Sequence, residues 1–291
     1  MKQNLYDITI IGGGCAGYAA AMYSGRFQLK TLLLGDNLGG TIILTNVVEN
    51  YPGFIRLTGQ ELADKLKAHA LDYKDFVEIK QEKVTKIEKY GQVYRAFVGK
   101  KYYDTKTIIF ATGTKHKELG VPGEKEFEGK GVHTCMLCDG YFFKNKIVGV
   151  VGGSDSAAKE AILGTQWAKK VYIIYRGEQI HPEPINMERV NNLIKKGKVG
   201  IINNTNVKEI KGDKFVKSII FDKPYKSKKE FELDGVFIEI GAIVQSDLAK
   251  SLGVKLNEKG EIIIDRMSRT NVVGVFAAGD VVDTAFKQAI T

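Results

Sequence analysis

Apolar residues fall in short blocks, each followed by a glycine-rich turn or an alanine-rich stretch with helical character. Ile8 to Ile11 opens the first unit, "YDITIIGGGCAGYAAAMYSGRF", which reads as strand, tight turn and helix. "KTLLLGD" reads as the next strand. "TKTIIFATGTKHKELGVPGE" is another, ending in the turn Ala111, Thr112, Gly113. The order strand, turn, helix, strand returns in "KIVGVVGGSDSAAKEAILGTQWAKKVYIIYRG". "NVVGVFAAGDVVDTAFKQAIT" predicts a last strand ending at Gly279 and Asp280, with a helix starting behind it. Between two strand-like runs, "KPYKSKKEFE" reads as a solvated hairpin tip.

The first turn carries G-x-G-x-x-G as Gly12, Gly14 and Gly17, placed after a strand and at the opening of a helix. In that context each glycine has a task. The first permits the tight turn, the second lets a pyrophosphate approach the backbone, and the third lets helix and strand pack closely. The helix start offers free N–H groups and the positive end of its dipole to the phosphates. The following strand should end in an acid for a ribose; Gly35 holds that place and Asp36 follows. In the second turn Gly152 is kept, Ser154 stands at the middle glycine and Ala157 at the third. Alanine is acceptable there, whereas the serine side chain restricts the approach of a pyrophosphate. Two such units form an internal repeat and point to two dinucleotides.

With 291 residues the chain is long enough for about two domains. No apolar run reaches the roughly 18 residues of a membrane helix, and the N-terminus has no signal-peptide shape. A reducing cytoplasm is the expected compartment. The net charge of +9 raises nucleic-acid binding, but the lysines are dispersed and no nucleic-acid-binding motif is present. The positive excess suits anionic cofactors or an acidic protein partner.

The candidate chemistry lies in "HTCMLCDGYFF", where Cys135 and Cys138 stand three apart with Asp139 directly behind. A redox dithiol, half of a zinc site, and two buried cysteines are the available readings. The chain has three cysteines, no second CxxC and no paired histidines, so zinc is the weakest and no metal is expected. Cys15, inside the first turn, reads as an inert small residue.

Together these segments resemble the low-molecular-weight thioredoxin reductases, two-dinucleotide-fold flavoprotein disulfide reductases. The resemblance is carried in order by "GGGCAG", "GGTIILTNVVENYPGF", "ATGTKHKELGVPGE", "CMLCDG", "VVGGSDSAAKEA" and "GVFAAGDVVDTAFKQA". It implies an α/β protein of two Rossmann-like three-layer domains, the second inserted into the first. An FAD domain would comprise 1–115 and 245–291, and a nicotinamide-nucleotide domain carrying the dithiol would comprise 116–244. FAD would be held by Gly12, Gly14, Gly17 and the segment Gly35, Asp36, Gly39, Gly40, Thr41. Asn50, Gly113, Asp280, Lys287, Gln288 and Ala289 would add contacts, with the adenine near Val84. Gly152, Ser154, Ala157, Arg176 and His181 would face the nicotinamide nucleotide.

In the scheme that the resemblance implies, reduced flavin passes electrons to the disulfide through Cys138. Cys135, the more exposed sulfur, then attacks the disulfide of thioredoxin. Asp139 protonates a departing thiolate; a plain helix N-cap is its other reading. Homodimers and domain rotation go with the family.

The chain departs from that pattern in "YRGEQIHPEP". The family's "HRRxxxR" becomes Tyr175, Arg176, Gly177 and His181, so two of three cationic clamps for a 2′-phosphate are lost or weakened. The family also continues beyond "KQA", whereas this chain stops at Thr291, through natural shortness or truncation. NADPH or NADH remains the expected donor. Reduced ferredoxin as donor, a dithiol oxidase passing electrons to oxygen, and a non-enzymatic flavin-binding sensor are the rival readings.

Overall fold

The computed structural model describes residues 5–45 and 47–291. The chain forms two compact units, Met1–Lys115 with Val244–Thr291, and His116–Ile243.

The first unit is built on strands β1 (Tyr6–Ile11), β2 (Thr31–Leu34), β3 (Val77–Lys80), β4 (Lys86–Tyr90), β5 (Val93–Val98) and β6 (Lys101–Phe110), with helices α1 (Cys15–Arg26) and α2 (Gly59–Leu71). Its parallel part runs β3-β2-β1-β6 and is completed by Val275–Ala277 against β6. The hairpin β4–β5 adds antiparallel to the first half of β6. All four residues of β2 are buried, as a strand covered on both faces requires. Helix α1 turns Gly17, Tyr18, Ala21, Ser24 and Gly25 inward; the small residues let it lie close to the sheet, and Tyr18 fills the core beside them. Helix α2 starts with a capping box: Thr58 Oγ1 accepts from the Glu61 amide, and Glu61 reaches back to the Thr58 amide.

The second unit repeats the plan. Its elements are β7 (Val132–His133), α3 (Met136–Asp139), β8 (Ile147–Val151), α4 (Asp155–Gly164), β9 (Lys170–Ile174), α5 (Pro184–Lys195), β10 (Val199–Ile202), β11 (Val207–Gly212), β12 (Val216–Tyr225), β13 (Lys228–Glu232) and β14 (Gly235–Ile238). The five-stranded sheet runs β10-β9-β8-β14-β7, all parallel. Strands β11 to β13 form a separate antiparallel meander. The lysine-rich tip is the hairpin turn expected from the sequence: Lys226 and Ser227 both take positive φ, 51° and 69°, between paired Tyr225 and Lys228.

One element differs from its expectation. Behind Gly279 stands a single 3-10 turn, Gly279–Val281, and no helix follows. The β-branched pair Val281–Val282 joins an extended contact instead: the Ile262 amide donates to the Val281 carbonyl and the Asp283 amide to the Ile262 carbonyl.

Candidate active site

In the first unit the glycine turn lies at the C-terminal end of β1, where parallel α/β sheets receive ligands. Gly12 has φ +116°, and a Cβ on it would meet the Ala111 carbonyl oxygen at 2.1 Å. A Cβ on Gly17 would fall 2.0 Å from the Gly12 carbonyl oxygen. Both positions are closed to any other residue, and turn and helix are thereby locked together. Gly14 is different. Only Gly40 Cα, at 3.7 Å, would touch a Cβ there, so its face is open where first-turn amides of α1 lack helical partners.

The other residues expected at this site gather around the same turn. Gly35 packs against Gly13, and the Gly39 amide donates to the Gly13 carbonyl at 2.7 Å. Gly40 lies on Gly14, with exposed Thr41 next in line. Asp36 is exposed; Lys83 lies 3.6 Å away and Gln81 donates to its carbonyl. The segment leading to Val84 therefore borders the end of β2, while the Val84 side chain itself is buried in the core. Gly113 has φ +60° and its carbonyl accepts from the Gln245 amide.

Gly279 packs on Ala16, which brings Asp280 to the start of α1. Burial pushes the Asp280 carboxyl up, and Lys287 partly offsets this. Asn50 Nδ2 donates to Gln288 Oε1 at 3.0 Å, joining two positions far apart in sequence. Lys287 is engaged internally, with Glu261 at 2.9 Å and the carbonyls of Asp280 and Val282. Ala289 packs near Val48, Leu57 and Leu62. Burial also pushes the Cys15 thiol up, which makes it a poor nucleophile at neutral pH. These residues fit a dinucleotide: an open glycine backbone, free helix-start amides and the half-buried acid Asp280 converge on one turn.

In the second unit Cys135 and Cys138 form a disulfide. Cys135 is the N-cap of α3, and its Sγ accepts the Cys138 amide at 3.0 Å. The expectation that Cys135 is the more exposed sulfur is corrected here. It is 5% exposed whereas Cys138 is exposed, because the capping position folds the first sulfur over the turn. Asp139 makes no cap hydrogen bond to the following turn; its Oδ2 lies 2.8 Å from His133 Nδ1. The Met136 amide donates to Glu160 on α4. Burial pushes that carboxyl up to about 7, with the Met136 amide pulling the other way. Glu239, just past β14, is pushed up to about 8 by burial first and then by the Glu160 charge. His116 Nδ1 lies 4.0 Å from Glu239 Oε1.

The second glycine turn copies the first in one respect. A Cβ on Gly152 would meet the Glu239 carbonyl oxygen at 2.2 Å, the counterpart of Gly12 against Ala111. Ser154 is the N-cap of α4 without a side-chain cap bond, and Ala157 is buried against the turn. Arg176 follows Tyr175 at the end of β9 and has no side-chain partner among the described residues. The His181 amide donates to the Gly153 carbonyl at 2.7 Å, and its ring lies 5.6 Å from that of Tyr175.

Residues 6–291 match the family model for pyridine nucleotide-disulphide oxidoreductases. A thioredoxin reductase of Mycolicibacterium smegmatis is 38% identical over the whole chain and 93% of its own length. That of Bacillus subtilis is 37% identical over the whole chain and 91% of its length. The crystal structure of Lactococcus lactis thioredoxin reductase superposes with a TM-score of 0.91 at 37% identity, covering 98% of this chain and 93% of that one. The crystal structure of T. acidophilum thioredoxin reductase gives a TM-score of 0.90 at 37% identity, covering 99% of this chain and 94% of that one.

The chain belongs to this family of disulphide oxidoreductases, in its thioredoxin reductase branch. As a flavoprotein-family oxidoreductase it is expected to use a flavin and a nicotinamide nucleotide, and its two dinucleotide folds match that pair in number. Sequence reasoning left four features of the dithiol region unremarked. His133 pairs with Asp139, half-buried Glu160 accepts from α3, and Glu239 is a buried acid just past β14. Tyr141 and Phe142, 67% and 68% exposed, follow the dithiol directly. A signal for the last two was available in "CDGYFF", two large apolar residues beside a reactive centre.

Proposed function

We propose that this protein is an FAD-dependent thioredoxin reductase that draws electrons from a nicotinamide nucleotide. The first unit holds FAD through Gly12, Gly14, Gly40 and Asp280. The second takes the nicotinamide nucleotide at the turn Gly152–Ala157, with Arg176 beside it. The observation that carries the reading is the Cys135–Cys138 disulfide set at the start of α3 with Asp139 at the end of that same turn. A cytoplasmic homodimer belongs to the same reading.

FAD, when bound, supplies an electron pair to the disulfide. Cys138, the exposed cysteine of the pair, is the one open to that transfer. As the S–S bond breaks, the bonding pair stays with sulfur and Asp139 provides a proton to one thiolate. The Cys138 amide already donates to Cys135 Sγ in the disulfide, so it is in place to stabilise negative charge on that sulfur once the bond has opened. Once uncovered by partner docking, Cys135 attacks the thioredoxin disulfide; Cys138 then breaks the mixed disulfide and restores the internal bond. The partner leaves as a dithiol. Exposed Tyr141 and Phe142 offer apolar surface for that docking.

The test is anaerobic titration of the flavin-loaded protein with NADPH and NADH, followed by addition of oxidised thioredoxin. Bleaching of the flavin band and its recovery on adding thioredoxin supports the reading, and Cys135→Ser removes the recovery. A second reading keeps the flavin and dithiol but takes electrons from reduced ferredoxin. It is favoured by Tyr175 and Gly177, which stand where the family pattern has histidine and arginine, the Tyr175 ring lying over Gly153. Bleaching by ferredoxin alone selects it.

A further inference from the structure

We propose that His133 is a positioning residue for Asp139, fixing one carboxylate oxygen so that the other serves the departing thiolate. This rests on the proposed acid role of Asp139. His133 ends β7, two residues before Cys135, and its backbone is registered in the sheet opposite Phe237 of β14. The imidazole lies stacked on the Phe237 ring, centroids 5.5 Å apart and planes 25° apart. It meets the Phe143 ring edge-on at 5.4 Å. Only 10% of the side chain is exposed. The ring thus has little freedom, and Nδ1 is presented to Asp139 Oδ2 at 2.8 Å.

That geometry divides the work between the two carboxylate oxygens. In the proposed arrangement His133 carries its proton on Nδ1, so that Nδ1–H donates to Oδ2 and holds the carboxylate plane. Oδ1 has no partner among the described residues. A proton carried by Asp139 therefore sits on Oδ1, the oxygen that His133 leaves free. When an incoming electron pair cleaves the Cys135–Cys138 bond, that proton passes from Oδ1 to the thiolate being released. Products of the step are one thiol, one thiolate and the Asp139 carboxylate still bonded to His133. The imidazole itself neither gains nor loses a proton.

The experiment uses flavin-loaded full-length protein and dithiothreitol as reductant, with opening of the disulfide followed by quenched alkylation and mass measurement. His133→Phe keeps an aromatic ring between Phe143 and Phe237 but removes the donor; His133→Asn places an amide N–H near the position of Nδ1. The expected result is a rate at least about tenfold lower in His133→Phe, the loss of one hydrogen bond to a charged group, with recovery of most of it in His133→Asn. In an Asp139→Asn background His133→Phe should add no further loss, because a residue that acts only through its neighbour shows full coupling. Additive losses, or a wild-type rate in His133→Phe while Asp139→Asn is slow, would overturn the assignment of His133 alone. A wild-type rate in Asp139→Asn would instead remove the acid role beneath it. Flavin content and thermal unfolding of each variant separate these outcomes from misfolding.

Discussion

The ring of Tyr175 lies across Gly153: a Cβ on that glycine would come within 2.4 Å of Tyr175 Cδ2. In the first unit the same place, one residue past the second strand, is held by Gly35, whose bare backbone touches Gly13. The two turns are therefore built alike and finished differently. One leaves backbone open, and the other carries an aromatic face followed by the guanidinium of Arg176, which has no side-chain partner among the described residues.

A consequence concerns choice of nucleotide. One guanidinium remains to tell a 2′-phosphate from a hydroxyl, worth roughly 10- to 100-fold in affinity as one charge-assisted contact. Flavin reduction by NADPH should exceed that by NADH by no more than this margin, and Arg176→Ala should erase the difference. Relative Kd values from anaerobic titration check it. A preference that survives Arg176→Ala would place recognition elsewhere.

The two closed glycines should fail separately. Gly12→Ala sets a methyl 2.1 Å from the Ala111 carbonyl at a positive φ, so the turn must move, with an expected cost of about 1–3 kcal/mol or more. The purified variant should lose bound flavin. Gly152→Ala creates the same clash with Glu239 but in the second unit, and should retain flavin while losing reduction by nicotinamide nucleotide. The ratio of flavin to protein absorbance in the two variants decides this.

Exposed Tyr141 and Phe142 should matter to the protein partner and to nothing upstream of it. Phe142→Ala removes apolar surface with little change to the fold, since the ring is mostly in solvent. KM for thioredoxin should rise several-fold, as expected on losing an aromatic contact worth about 1 kcal/mol or more. The rate of flavin reduction should stay unchanged. Stopped-flow reduction and steady-state turnover, run on one preparation, separate the two.

Much of this architecture is legible in the sequence for a physical reason. Buried parallel strands such as Thr31–Leu34 are short apolar blocks, and glycines whose Cβ would strike a carbonyl must appear as glycine. Those constraints are local and leave marks at fixed spacing. The exposure of the two cysteines is not of that kind. It depends on the capping conformation of Cys135, which the spacing C-x-x-C does not specify. The pairing of His133 with Asp139 depends on a strand held in place by β14, which lies more than 100 positions further along the chain. The missing helix after Asp280 was decided by Ile262, a partner that no reading of "GDVVDTAF" alone contains.

Half-buried Glu160 and buried Glu239 give stability a pH dependence whose sign follows from their environment. An ordinary glutamate in the unfolded chain releases its proton near pH 4.5, whereas in the folded protein burial holds these protons until about 7 for Glu160 and about 8 for Glu239. Between those limits the native state binds more protons than the unfolded one. Stability from these groups is greatest at low pH, falls as pH rises through the window, and levels off above about 8. The slope is at most about 1.4 kcal/mol per pH unit for each group. Glu239→Gln removes one titrating group but retains a carbonyl oxygen and nearly the same volume. Its melting temperature should gain on the wild type as pH rises from about 4.5 to about 8 and run parallel to it above. A difference between the two proteins that stays constant across that range would mean that Glu239 keeps its charge in the fold. It would then need a compensating cation beside His116, whose own proton affinity burial pushes down.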